Sequence, residues 1–288
     1  MANITAAMVK ELRQMTDAAM MECKKALVEA DGDMDKAVDI LRTRGLAAVA
    51  KKAGRATNEG VVWPVISEDG KSAIIFEMNC ETDFVSGNQK YKDYAKKIGE
   101  TALAAKPADM DAFKAAKNAE GESVEEILTD AIHILGENIQ IARFELVEAD
   151  VISSYIHMGG KIGILVTFKT EGIDTTSEVF AEYSHGVAMQ VAADNPVAVD
   201  KDGVDPALVA HEREIYLAQA AESGKPAAIQ EKMVDGRVAK FLSEVCLVNK
   251  AYIKDPEKTI AQLTAETARA LGGTIEITGF RRLMVGGE

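Results

Sequence analysis

Cysteine, histidine, tryptophan and long apolar runs are all scarce in this chain of 288 residues. The three cysteines, Cys23, Cys80 and Cys246, are far apart, odd in number and in no C-x-x-C pair. That excludes a disulfide framework and a cysteine zinc site, and reads as reduced thiols in a cytosolic protein. Four histidines, none in H-x-x-x-H spacing, supply no ligand set, so neither a metal nor a cofactor is expected. No apolar stretch approaches the ~20 residues that span a bilayer. The N-terminal Met1-Ala2-Asn3-Ile4-Thr5 lacks the basic-then-apolar pattern of a secretion signal, and no Arg/Ser-rich leader is seen. A cytoplasmic, bacterial setting is therefore expected. A phosphate-binding loop is missing too: Met158-Gly159-Gly160-Lys161 lacks the G-x-x-x-x-G-K-[ST] spacing and reads as a hairpin turn.

What is present is ordinary globular material with an acidic balance. Hydrophobic residues make up 47% and charged residues 27%, enough for one or two substantial cores and a small module. The net charge of −13 repels phosphate backbones, which argues against direct nucleic-acid binding and suits a protein partner with neutral or positive patches.

Three stretches organise the chain. Residues 1–54 read as a three-helix module, with Thr5, Thr16 and Asp33 as caps and a stop at Gly45. Val9, Leu12, Met20, Ala26, Leu27, Val38 and Leu41 recur at helical spacing. Residues 47–55 then read as a linker that begins helical and frays. From Gly60 the period changes to that of strands: 61–66, a turn at Ser67-Glu68-Asp69-Gly70, and 72–78 predict a β-hairpin, followed by a helix over 89–105. A further helix is predicted over 124–135 with Ser123 as its cap.

The same order returns as a hairpin over 151–168 and a helix over 176–193. An internal duplication of a strand–strand–helix unit follows, and with it an α+β protein whose antiparallel sheets each carry helices on one face. The expected divisions are 1–54, 55–148 and 149–288. The last contains a helical hairpin insertion at about 198–230 and a closing strand over 274–280. Leu208, His211, Ile215 and Ala218 form a narrow seam suited to helix pairing, either within the hairpin alone or with a second copy.

The chemically interesting run is Glu77-Met78-Asn79-Cys80-Glu81-Thr82-Asp83-Phe84-Val85. It starts as a buried strand and ends in a polar turn carrying a large aromatic beside a carboxylate. Phe84 either folds back as a helix staple or is offered to another protein's pocket. Glu81 and Asp83, two apart, would point the same way on an extended segment and could share a proton or a cation. No histidine, further carboxylate or glycine-rich loop accompanies them, which weighs against catalysis; Cys80 reads as a buried strand-end thiol.

The run resembles the signature of elongation factor Ts, the nucleotide exchange factor of elongation factor Tu. Two other stretches resemble the same family: Leu12-Arg13 with Thr16 through Leu27, and Ser154-Tyr155-Ile156-His157 through Gly163. Two departures are visible: Ala19 where glycine or serine is usual, and Gly87 where a longer polar residue is usual. The resemblance covers residues 4 to about 285. It implies a ubiquitin-associated-like first module, a projecting coiled-coil hairpin sometimes used for self-association, and no covalent chemistry. It also implies that a C-terminal helix present in some relatives is missing.

For the site, the resemblance implies that Thr82, Asp83, Phe84 and Val85 wedge open the partner's nucleotide domain and displace its magnesium. Arg13, Met20, Met21 and Lys24 would anchor that domain, and His157 and Met189 would hold another. From spacing alone, Met20 and Met21 cannot both face inward fully, so one is expected to face a partner, and His157 and Met189 serve equally as core residues. The rival reading is a ubiquitin-associated-like adaptor that binds helices without exchange activity.

Overall fold

The structure, a computed structural model, describes residues 4–16, 18 and 20–287, apart from the side chains of residues 46–48, 50 and 51. Ala19 lies outside the described residues. The N-terminal module is helical: α1 (Ala6–Thr16), α2 (Met20–Glu29) and α3 (Met34–Lys52). Thr5 Oγ1 accepts from Met8 N (3.3 Å) at the start of α1, and Asp33 Oδ1 accepts from Lys36 N (3.1 Å) at the start of α3. Val9, Leu12, Cys23, Ala26, Leu27 and Leu41 close a small core between the three helices.

Two expectations fail here. Thr16 ends α1 instead of capping α2: its hydroxyl donates to Leu12 O (2.7 Å), the preceding turn of its own helix. Gly45 does not stop α3, which continues to Lys52 and absorbs the first half of the expected linker. A mid-helix glycine costs about 1 kcal/mol relative to alanine, and packing overrides it. The second half of α3 lies along a later helix, with Gly45 beside Thr129 and His133 and Lys52 Nζ donating to Ile132 O (3.0 Å).

The rest is two related α/β units. The first runs β1 (Glu59–Ile66), β2 (Ser72–Cys80), the four-residue α4 (Asp83–Ser86), α5 (Gln89–Ala105), α6 (Met110–Ala115), α7 (Val124–Leu135) and β3 (Ile139–Glu148). The second runs β4 (Val151–His157), β5 (Ile162–Glu171), α8 (Glu178–Asp194), the hairpin α9 (Pro206–Ala221) and α10 (Ala227–Val245), the short β6 (Ala251–Tyr252) and β7 (Asp255–Thr259), then α11 (Ile260–Leu271) and β8 (Thr274–Met284). The sheets are antiparallel with orders β1-β2-β3 and β4-β5-β8.

The duplication goes deeper than strand–strand–helix, because each unit closes with a second helix and a third strand. A capping box starts α7 (Ser123 with Glu126) and another starts α11 (Thr259 with Gln262). A left-handed glycine ends each, Gly136 and Gly272, and the third strand follows directly with a bulge in its pairing. The units differ in what is inserted: α6 and its loops in the first, the α9–α10 hairpin with β6–β7 in the second. The arms α9 and α10 match the two helical runs that the sequence suggests over 205–222 and 227–245, so the hairpin extends past the 230 expected as the end of the insertion.

β2 is buried along its whole length, which its unbroken Ala73-Ile74-Ile75-Phe76 run announces. One face packs Ile74, Phe76 and Met78 on α5 and α7 through Tyr91, Ile98 and Ile127. The other meets the second sheet, where Val62, Ala73 and Ile75 pack with Ile152, Leu165 and Leu283. A Cβ on Gly163 would lie 2.5 Å from Val62 Cγ1, so glycine permits the close approach of the sheets there. The molecule is thus layered helices, sheet, sheet, helices, with the signature at the exit of its most buried strand.

Candidate functional site

The polar turn after β2 is held on several sides. Thr82 is extended and caps α4, its Oγ1 accepting from Val85 N (3.4 Å). Inward, Val85 packs against the core of the first unit, while the Cys80 thiol donates to Thr82 O (3.2 Å). Burial pushes that thiol up to about 11, so it carries its proton and is no nucleophile. Asn88 ends the turn by capping α5, accepting from Lys90 N (2.9 Å).

Glu137, on the three-residue connection between α7 and β3, ties the turn down. Its Oε2 accepts from both Glu81 N and Thr82 N (3.0 Å each), and its Oε1 accepts from Thr82 Oγ1 (2.6 Å). Glu81 answers in the other direction: Oε1 accepts from Asn138 N (2.7 Å) and pairs with Arg55 Nη1 (3.2 Å). The Asn138 amide hydrogen bond, reinforced by Arg55, holds the Glu81 carboxyl below the usual carboxylate range. Asn138 Nδ2 in turn donates to Arg55 O (2.8 Å), binding the end of the linker into the same knot.

On this fixed base Phe84 stands 87% exposed, so the staple alternative fails. Asp83 is also exposed. The idea that Glu81 and Asp83 share a proton on one extended segment fails as well. Thr82 begins a helical turn between them, and both Glu81 oxygens are engaged by Asn138 and Arg55. Among the described residues no group of three or more His, Cys, Asp or Glu side chains is arranged to hold a metal. Gly87 has an ordinary right-handed conformation (φ −74°), so the turn does not depend on that departure.

The N-terminal module comes up beside this turn. A cleft of about 410 Å³ is lined by Glu22 of α2 and by Val85, Asn88, Lys90 and the end of α7. Met20 and Met21, on the same helix as Glu22, are 53% and 61% exposed; both face out, where one was expected to. Arg13 and Lys24 are exposed as well. The module is pinned by the Arg42–Glu126 ion pair and by Ile134, which packs into the three-helix core.

His157 and Met189 form a separate patch on the second unit, and both are half-buried. His157 Nδ1 lies 3.0 Å from Tyr155 Oη, and the Tyr155 ring meets His185 edge-on at 5.2 Å. His185 and Met189 are one helical turn apart on α8, so they share a face.

Sequence reasoning missed Glu137, Asn138, Arg55 and His185. For Glu137 a signal existed: an acidic residue between a helix-ending glycine and a strand, on a corner too short to hide it. For His185 there was none beyond its i, i+4 spacing to Met189.

Comparison with known proteins gives a consistent result. A family model described as Elongation factor TS matches residues 81–287. A protein of Desulfovibrio desulfuricans named Elongation factor Ts is 46% identical over 295 residues, covering 100% of both chains. One of the same name from Nitratidesulfovibrio vulgaris is 46% identical over 98% of this chain and 96% of its own. Another, from Clostridium perfringens, is 45% identical over 97% of this chain and 92% of its own.

Proposed function

This chain belongs to the elongation factor Ts family and is a translation elongation factor, and from that premise we propose that it promotes release of GDP from elongation factor Tu without covalent chemistry. The carrying observation is Phe84, an apolar side chain left 87% exposed on a turn that is otherwise bound at both ends. An exchange catalyst must bind the nucleotide-free state more tightly than the nucleotide-bound one, and by reciprocity the returning nucleotide weakens its grip equally.

Burying one phenylalanine supplies roughly 1.5–3 kcal/mol. Spent only on the open state, that is about one to two decades in nucleotide affinity. In this reading Phe84 enters the partner's nucleotide domain, Asp83 perturbs the neighbouring helix, and Thr82 and Val85 keep the turn in shape. The elements supporting the partner's magnesium are displaced, and phosphate binding weakens because the ion is the largest local charge. Arg13, Met20, Met21 and Lys24 grip the same domain beside the cleft, and His157 and Met189 grip a second one. Remote anchoring matters because a single turn cannot resist expulsion alone.

The test is release of fluorescent GDP from elongation factor Tu, followed by stopped flow at saturating factor. Phe84→Ala should slow release by about one to two decades, and Asp83→Ala should slow it less. Release unchanged by Phe84→Ala refutes the wedge. The adaptor reading expects no stimulation of release even by the unaltered chain.

A further inference from the structure

We infer that Glu137 and Glu81 form a two-carboxylate clasp that exists to position the Phe84 turn, Glu137 being a positioning residue for exchange. This rests on the reading of Phe84 as a wedge. The clasp is reciprocal. Glu137 accepts the backbone N–H groups of residues 81 and 82, while Glu81 accepts that of residue 138. Each carboxylate thereby satisfies amides on the opposite segment, and two adjoining corners become one body. Hydrogen bonds to an ionised acceptor are the strong kind, and three converge on Glu137 alone. A turn that is to push against another protein needs such backing, since any compliance would let Phe84 fold aside.

A second observation separates this role from a need of the fold, because the molecule carries a related corner twice, with three residues between α7 and β3 and two between α11 and β8. In the second unit the residues just past the paired ends Glu171 and Thr274 are Gly172 and Gly273. Among the described residues no carboxylate takes part there. A Cβ on Gly273 would lie 2.1 Å from Glu171 O, so the two segments close by backbone contact. The duplicated fold therefore makes this corner without a clasp, and the pair of glutamates belongs to the unit with the exposed aromatic.

The experiment is a double-mutant cycle read by GDP release from elongation factor Tu at saturating factor, with Glu137→Ala and Glu137→Gln each made in the native and Phe84→Ala backgrounds. Thermal melts and amide hydrogen exchange of residues 81 and 82 accompany it. In the native background we expect release to slow about tenfold, with Gln milder than Ala. Exchange of the two amides should accelerate, while the melting temperature moves little. In the Phe84→Ala background, Glu137→Ala should add nothing, because its effect passes through the missing ring. A merely structural role would instead slow release by the same factor in both backgrounds, and that result overturns the proposal. Release slowed by Phe84→Ala but untouched by Glu137→Ala overturns the clasp and leaves the wedge standing. Release unaffected by Phe84→Ala yet slowed by Glu137→Ala refutes the wedge and any action of the clasp through it.

Discussion

Glu77 offers the sharpest test of how the two units are joined. It lies mid-strand in β2 with its side chain only 3% exposed. Its Oε2 accepts from Arg143 Nε (2.9 Å), and its Oε1 accepts from Asn79 Nδ2 (2.9 Å) and Gly286 N (2.7 Å). The last bond reaches the segment just past β8, so one carboxylate binds β2, β3 and the end of the second sheet. Glu77→Met keeps the bulk and removes the acceptor, leaving a guanidinium without its counter-charge. Breaking a buried pair on one side costs about 3–5 kcal/mol.

Arg143 remains 28% exposed and keeps its bond to Met284 O (2.9 Å), which places the loss near the lower end, about 3 kcal/mol. For a protein of this size that is a fall of roughly 6–12 °C in melting temperature, read by scanning calorimetry. Replacing both partners, Glu77→Met with Arg143→Met, removes the orphaned charge and should recover most of the loss. A single variant that loses less than about 1 kcal/mol, or a double variant no more stable than the single, would refute this account of the joint.

Three further predictions concern the core. Gly163→Ala should cost about 1–3 kcal/mol by overpacking against Val62, measured by denaturant unfolding, whereas an exposed glycine changed to alanine should cost far less. All three thiols are buried, so native protein should not react with an aromatic disulfide reagent at neutral pH, while denatured protein should react three times per chain. For Cys80 the folded thiol holds its proton to about 11, against 9.0 for an unhindered one. Above 9.0 the unfolded chain binds fewer protons, so this group's contribution to stability should fall as pH rises between those values. A Cys80→Ala variant should lose that part of the alkaline slope.

Much of this fold was legible because the apolar period is clean where packing is simple. The all-apolar core of β2, the Ser123 cap of α7 and the turn glycines of both hairpins stood in the residues themselves. β3 was missed although Ile139, Ile141, Phe144 and Leu146 alternate for most of its length. The bulge opposite Glu77 and Met78 shifts the alternation by one residue at Ala142 and hides the pattern. α11 was missed despite carrying Thr259, Gln262 and Gly272, a complete set of start and stop signals. Gly45 misled for the opposite reason, since contact with α7 overrode a local stop. At the site, Phe84 could be found but its exposure could not, because a staple and a wedge have the same local sequence. The partners of Glu81 are distant in the chain, and nothing in the run from 77 to 85 points to residue 137.

The duplication also supplies an internal control for what the signature adds. In the second unit β5 leads to α8 through 172–177, where Ser177 caps the helix and no short helix intervenes. The aromatic at that junction, Phe180, is 2% exposed and packs on Phe168 at 5.6 Å, as a phenylalanine needed by its own core should. In the first unit the aromatic side chains of α5 and β2, Tyr91 and Phe76, already fill the equivalent core, and Phe84 is surplus to it. An exposed benzyl group makes no favourable contribution to folding and is an association hazard. Its placement beside a turn tied down by Glu137 is what the proposed wedge requires. Stability and exchange should then separate cleanly: Phe84→Ala should leave the melting temperature within the range of an ordinary surface change, about ±0.5 kcal/mol, while removing most of the stimulated release. A substantial loss of stability would mean that the ring serves its own fold after all.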